Sequence, residues 1–279
     1  MKFKLYREHG ALNSQPIFDS IHKGLHHLGH EIVDQGEDIA VVWSALWSGR
    51  MLGNKQIFEN RKAQGLPTIF VEVGNLKRNT TWRISIDHIN GYGIFGNKTD
   101  LDSSRPEKLG MVLKDIQTKR KEEILIACQH TKSLQWQGMP PMAKWVIETV
   151  NQIRQVSARP IVVRPHPRDP FSLNLSGVKL ETPKRVSGTY DDFNIDYNYH
   201  CVVNYNSGPA IQAAIAGVPV VCDLSSLAWP VSSVIPQISH PTLPDRRQWF
   251  VELCHSEWTV QEIEKGIPFA RLQLELEKI

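Results

Sequence analysis

The stretch "VVNYNSGPAIQAAIAGVPVV", residues 202–221, constrains the fold more than any other part of the chain. Val202 and Val203 end a buried strand. After Asn204-Tyr205-Asn206-Ser207-Gly208, Gln212 is the only polar side chain between Ala210 and Ala216. A helix that is apolar all round is buried, and its small residues let it lie close to a sheet. Pro209 suits its first position, Gly217 its C-cap, and Val218–Cys222 the next strand. Such a βαβ unit belongs to a parallel sheet and sets the loop 204–208 at the carboxyl edge, over a helix N-terminus. The N–H groups and helix dipole there favour an anion.

Short apolar runs alternate with helical stretches along the whole chain, the pattern of an open, mostly parallel sheet. The first half reads as strand Lys2–Tyr6, helix Pro16–Leu28, strands His30–Val33 and Ile39–Trp43, a helix near 54–64, and strands Thr68–Val73 and Trp82–Ile86. The run Asn97–Glu123 turns polar and charged and reads as a partly helical crossing between two domains, divided as 1–118 and 119–279. The second half restarts with strand Ile124–Cys128, helix Met142–Val156 and strand Pro160–Arg164, and ends in terminal helices packed through Trp249, Leu253 and Trp258. Two α/β halves with facing strand ends would leave a ligand cleft.

Composition sets limits rather than a function. With 41% hydrophobic and 22% charged residues and a net charge of +3, the chain permits a polyanionic partner without demanding one. No apolar run reaches the roughly 18 residues of a membrane span. The start "MKFKLYREHG" lacks the apolar core of a signal peptide, so a cytoplasmic location is expected. Cys128, Cys201, Cys222 and Cys254 form no CxxC pair and read as buried thiols of a reducing compartment.

The strongest chemical signal is "VVRPHPRDP", residues 162–170. A strand ends in a loop stiffened by Pro165 and Pro167, which holds Arg164, His166 and Arg168 together. Two guanidiniums and an imidazole suit a phosphate; the alternative is a turn whose arginines pair with acids. The segment "CQHTKSLQWQG" offers Gln129 and Ser133 as further donors. In "TIFVEVGNLKRNTTW", Glu72 stands in an apolar strand end, ahead of the basic pair Lys77-Arg78. A carboxylate there is either a general base facing a polar cleft or half of a structural ion pair. Trp47 and Arg50 near another strand end would stack on a flat ring, whereas Trp43 reads as core. His22, His26 and His30, and the "DLD" at Asp100–Asp102, mimic metal motifs. The first set is split by Gly29 and the second lies in a polar linker, so no metal site is expected.

"RPHPRDP" followed by "NYNSGPAIQAAIAGVPVV" resembles the nucleotide-binding half of GT-B glycosyltransferases, as in capsule polysaccharide and glycerophosphate transferases. "LWSGRMLGNKQIF", "PTIFVEVGNLKRNTTWRISIDHINGYGIFG" and "PDRRQWFVELCHSEWT" resemble phage-encoded glycosyltransferases, some of which modify hydroxymethylated DNA bases. The resemblance implies two Rossmann-like domains: an acceptor-side domain, 1–118, and a nucleotide-sugar-binding domain with terminal helices, 119–279. It implies a nucleotide-diphosphate sugar, a UDP-sugar, held by Gln129, Ser133, Arg164, His166, Arg168, Asn206, Ser207 and Gly208. Glu72 would be the base, and Trp47, Arg50, Lys77 and Arg78 would line the acceptor side. The departing diphosphate would be stabilised by positive groups in place of a metal, with no cofactor, and the reaction would invert the anomeric centre. The implied acceptor is a 5-hydroxymethyl pyrimidine, such as hydroxymethylcytosine, in double-stranded phage DNA in the host cytoplasm. A bacterial surface polysaccharide, or binding of a nucleotide sugar or DNA without catalysis, are the alternatives. The related phage enzymes carry aspartate as base where this chain has Glu72.

Overall fold

The computed structural model describes residues 1–188 and 193–279. In chain order its elements are β1 (Lys2–Leu5), α1 (Gln15–His27), β2 (Glu31–Ile32), β3 (Ile39–Trp43), α2 (Leu52–Ala63), β4 (Thr68–Val73), β5 (Trp82–Ile86) and α3 (Arg105–Lys108). They continue as β6 (Ile124–Ala127), α4 (Met142–Arg154), β7 (Ile161–Arg164), β8 (Val178–Leu180), β9 (Lys184–Arg185), β10 (Phe193–Asn194) and β11 (Cys201–Asn204). The last are α5 (Gly208–Ile215), β12 (Val220–Val221), α6 (Arg247–Cys254), β13 (Glu257–Trp258), α7 (Val260–Glu264) and α8 (Ile267–Leu276).

Two compact units result. The first comprises 1–109, 132–134 and 251–279, the second 110–131 and 135–250. The division therefore differs from the expected 118/119 boundary with the terminal helices in the second domain. Apolar burial is the reason: Trp258, Ile263, Phe269, Leu272 and Leu276 complete a core with Phe3, Phe18, Ile21, Ile39, Ile69 and Ile84. Trp249, Leu253 and Trp258 are buried, as expected of packing residues. Gly24 lets the end of α7 lie against α1, since a Cβ there would stand 2.0 Å from the Ile263 carbonyl oxygen. The run 97–123 is helical only at α3.

The first sheet has the order β13-β5-β4-β3-β1-β2. Strands β1 to β4 are parallel, whereas β5 runs antiparallel to β4 and β13 antiparallel to β5. The connection 74–81 is too short for a crossover of about a dozen residues, so the chain turns straight back. The second sheet, β12-β11-β6-β7-β8, is parallel throughout. Its core joins Ile124, Ile126, Val146, Val150, Ile161, Val163, Cys201 and Val203. All four cysteines are buried free thiols, and burial pushes Cys128 and Cys201 up to about 12. Among the described residues no helix is long and apolar enough to cross a membrane.

Candidate active site

In the second unit the chain passes from β6 outward through β7 to β8, then returns to place β11 on the other side of β6. The order reverses between β6 and β11, and the crevice beyond their carboxyl ends is where open α/β sheets take ligands. Asn204, the last residue of β11, organises it. Its Nδ2 donates to the Ala127 carbonyl (2.7 Å) and to Ser207 Oγ (2.9 Å), and its Oδ1 accepts from Ser207 N–H (2.8 Å). Gln129 Oε1 accepts the Asn206 N–H at 3.2 Å, tying the two strand ends together.

Ser207 is the N-cap of α5, but its hydroxyl serves Asn204 rather than the helix, and Pro209 takes the second helical position rather than the first. Pro209 brings no N–H, so Gly208 and Ala210 present the N–H groups that the helix itself does not use. Asn206 is 5% exposed. Its Nδ2 donates to Ser225 Oγ at 2.9 Å, and that hydroxyl donates onward to Asp223 Oδ1 at 2.6 Å. Asn206 Oδ1 is buried with no protein partner. A buried acceptor left unmade at a helix N-terminus points to a ligand that donates a hydrogen bond.

The neighbouring edge holds the Arg164–Asp169 loop. Arg164 follows the ion-pair alternative: it is buried, with Nη2 on Glu181 Oε1 (2.7 Å) and the Tyr199 hydroxyl (3.0 Å). Burial raises the Glu181 carboxyl, but the bonds and charge of Arg164 outweigh it and hold the group below its usual range. His166 and Arg168 remain at the loop surface. His166 Nδ1 accepts the Arg168 N–H at 3.2 Å, and its ring lies 5.1 Å from that of His130. Asp169 Oδ2 accepts the Thr131 N–H and hydroxyl, both at 2.6 Å, and lies 3.5 Å from His130 Nδ1. Burial raises the Asp169 carboxyl, yet those bonds and both histidines carry it below the ordinary value. Ser133 falls in the first unit. Residues 132–134 pair with the first unit, through Trp47 N–H to the Lys132 carbonyl (2.7 Å) and Leu134 N–H to the Ala45 carbonyl (2.8 Å).

The first unit repeats the device. Its order reverses between β1 and β3, and Asn54 of α2 bridges their ends, donating to the carbonyls of Trp43 (2.6 Å) and His9 (3.2 Å). Beyond β3, Ser44 adopts the left-handed conformation at φ 67°. Such strain in a non-glycine residue marks over-determined, often functional positions. Ser44 Oγ donates to Glu72 Oε2 at 2.7 Å, and the N–H groups of Ala45 (3.4 Å) and Val73 (2.9 Å) also reach the carboxylate. Glu72 is half-buried and, among the described residues, makes no ion pair. Arg83, directly across from it on β5, donates to Glu257 and to the Ile89 carbonyl instead.

The remaining expected acceptor-side residues divide. Trp47 packs between Phe58 and Phe70, ring centroids 6.3 and 6.2 Å away, so much of its face belongs to a core that includes Val42 and Ala45. Arg50 is exposed on the turn before α2, and Lys77 and Arg78 lie on the 74–81 loop. Trp43 is core, 2% exposed. Asp102 is engaged by Ser104 and Lys108. Among the described residues no group of three His, Cys, Asp or Glu side chains is placed to share a metal ion. Ser44, Asn54, Arg83, Asp169, Asn204 and Glu257 were not among the expected site residues. Asn204, at a strand end three residues before an N-cap serine, carried a legible signal; Glu257 carried none.

No protein-family model matches the chain, and no curated protein matches it in sequence. Among solved structures it is similar to Thermosulfurimonas dismutans KpsC, a β-Kdo 2,7-transferase, with TM-score 0.53 and 13% identity over 96% of this chain and 99% of that one. The KpsC β-Kdo 2,4-transferase of the same organism aligns with TM-score 0.47 and 11% identity over 96% and 98% of the two chains. AviGT4, a glycosyltransferase of avilamycin A biosynthesis, aligns with TM-score 0.36 and 12% identity over 100% and 99%. The first likeness is one of fold: two Rossmann-like α/β units, the GT-B class.

Proposed function

We propose that the protein transfers a sugar from a nucleotide-diphosphate donor to a hydroxyl acceptor. The observation that carries this reading is the crevice between β6 and β11, where a helix N-terminus and the buried, unpartnered Asn206 Oδ1 meet. Gly208 and Ala210 N–H groups supply an anion site, and Asn206 Oδ1 accepts from a ligand hydroxyl or N–H. Arg168 adds positive charge one strand away, with the His166 ring beside it. Ser207 and Gln129 shape the edge from inside, and Arg164, whose Nε and Nη1 are buried with no protein partner, keeps two donors for the diphosphate.

In this reading Glu72 is the base. Its oxygens accept from Ser44, Ala45 and Val73, and among the described residues it makes no ion pair. It removes the acceptor hydroxyl proton as the oxygen bonds to the anomeric carbon. The bond from that carbon to the donor phosphate breaks on the opposite face, its electron pair leaves with the diphosphate, and the centre inverts. Donors aimed at the developing phosphate charge lower the barrier. Lys77, Arg78, Arg50 and the exposed part of Trp47 belong to the acceptor side.

Two acceptors have support of different kinds. A 5-hydroxymethyl pyrimidine in DNA is supported by the sequence resemblance of the first half to phage enzymes. A saccharide hydroxyl is favoured by the fold shared with the KpsC β-Kdo transferase. The test is intact-nucleoside mass spectrometry on hydroxymethylcytosine and hydroxymethyluracil DNA, incubated with the protein and a panel of nucleotide sugars. A nucleoside heavier by one sugar establishes acceptor and reaction together. No gain, with transfer to oligosaccharides, establishes the saccharide acceptor. No transfer to either, and no nucleotide-sugar binding, refutes the proposal. Glu72→Gln should abolish turnover and keep donor affinity.

A further inference from the structure

Glu257 is fully buried, yet the reaction as proposed makes no use of it. It lies on β13 and accepts from four donors: the N–H groups of Asn75 (2.6 Å) and Leu76 (3.0 Å), the Thr81 hydroxyl (2.8 Å) and Arg83 Nη2 (3.2 Å). Three of these fix the loop that carries Lys77 and Arg78. Gly74 is required beside it, since a Cβ there would come within 2.4 Å of Glu257 Oε2.

The strand register gives the fourth donor its meaning. Glu72 on β4 stands opposite Arg83 on β5, and Arg83 stands opposite Glu257 on β13. Directly opposed residues of antiparallel strands share a face, so a carboxylate, a guanidinium and a carboxylate form one row across the sheet. Arg83 has two carboxylates as neighbours and pairs with Glu257. Its Nη1 is taken by the Ile89 carbonyl (2.9 Å), and its Nε is buried without a partner. A buried guanidinium that lost Glu257 would be left uncompensated, and Glu72 is the carboxylate next in its row.

We propose that Glu257 is a positioning residue for Glu72: by holding Arg83 it keeps the guanidinium off the catalytic carboxylate and leaves that group able to accept a proton. This rests on the reading of Glu72 as the acceptor base. An ion pair with Arg83 would stabilise the carboxylate and weaken it as a base. The same contacts that anchor the Lys77-Arg78 loop therefore also decide which carboxylate in the row stays reactive.

The test compares Glu257→Gln, Arg83→Gln and the double variant by steady-state kinetics, thermal unfolding and crystallography. Glu257→Gln should lower kcat at least ten-fold with little change in donor KM, and its crystal structure should show Arg83 within ion-pair distance of Glu72. Arg83→Gln should keep kcat near the wild-type value despite a lower Tm. The double variant should recover most of the kcat lost by Glu257→Gln, a rescue that a purely structural role does not produce. An unmoved Arg83 in Glu257→Gln, or a double variant no better than the single, overturns the inference. If Glu257→Gln does not fold, Arg83→Gln decides alone: a kcat loss as large as that of Glu72→Gln overturns the inference, and a retained kcat upholds it. A wild-type protein without transferase activity refutes the reading of Glu72, and the crystallographic position of Arg83 still judges the row.

Discussion

Asn206→Ala separates a ligand-binding role from a structural one. The side chain makes one hydrogen bond, to Ser225 at 2.9 Å, and buries one acceptor with no protein partner. A hydrogen bond contributes about 1 kcal/mol, and an unsatisfied buried acceptor costs about 1–3 kcal/mol. Removing both should leave the unfolding free energy within about 1 kcal/mol of wild type. Gln129 still holds residue 206, because it binds the backbone N–H. If a donor ligand satisfies Oδ1, the variant loses that bond, and about 1.4 kcal/mol corresponds to a ten-fold weaker Kd. Calorimetric titration with UDP and UDP-sugars, alongside denaturant unfolding, reads both quantities. An unchanged nucleotide Kd refutes the reasoning, most clearly if stability falls by more than about 2 kcal/mol, since Asn206 would then be purely structural.

Gly24→Ala should destabilise the first unit although it removes a helical glycine worth about 1 kcal/mol. The new Cβ would meet a backbone oxygen at 2.0 Å, and overpacking of that kind costs about 1–3 kcal/mol or more; a higher denaturation midpoint would show that α1 and α7 are not so close. Acidification should destabilise the protein through His88, His200 and His255, whose pKa values burial lowers from 6.5. Such groups bind protons more readily when unfolded, so stability holds above pH 6.5 and is lost as pH falls through their lowered folded values. His255 shows why: its Nδ1 donates to the Val251 carbonyl while Nε2 accepts the Asp102 N–H, which requires a neutral ring. Urea midpoints at pH 7.5, 6 and 5 should decline in order; a flat series would contradict this.

Where local pattern and burial agree, the sequence was transparent. Ile39–Trp43, Thr68–Val73 and Trp82–Ile86 read as strands with the bounds they adopt, the first two from nearly continuous apolar runs and the last from apolar residues alternating with Arg83 and Ser85. The βαβ unit at 201–221 was legible because a helix without a polar face has nowhere to lie but against a sheet. What failed was anything decided at a distance. Glu257 and Trp258 look like part of a terminal helical region, and only pairing with β5 makes them a strand. Arg164 is readable as a cation at a strand end, but its pairing through Nη2 with Glu181 and Tyr199, far along the chain, is not. Ser133 leaves β6 with the donor-site loop but pairs with residue 46 of the first unit. Glu72 was readable as a carboxylate in an unusual place, whereas the row that leaves it unpaired needs the register of three strands.

The return of residues 251–279 to the first unit also bears on how the chain is made. Residues 110–250 emerge from the ribosome with every strand of their sheet already present. Residues 1–109 emerge first and must wait for β13, α7 and α8 before their edge strand is covered and Glu257 reaches its loop. Domains generally fold as they are synthesised, earliest first. Here the middle of the chain can complete its sheet while the beginning still lacks β13, α7 and α8, and the loop of Asn75, Leu76 and Thr81 acquires its buried carboxylate last.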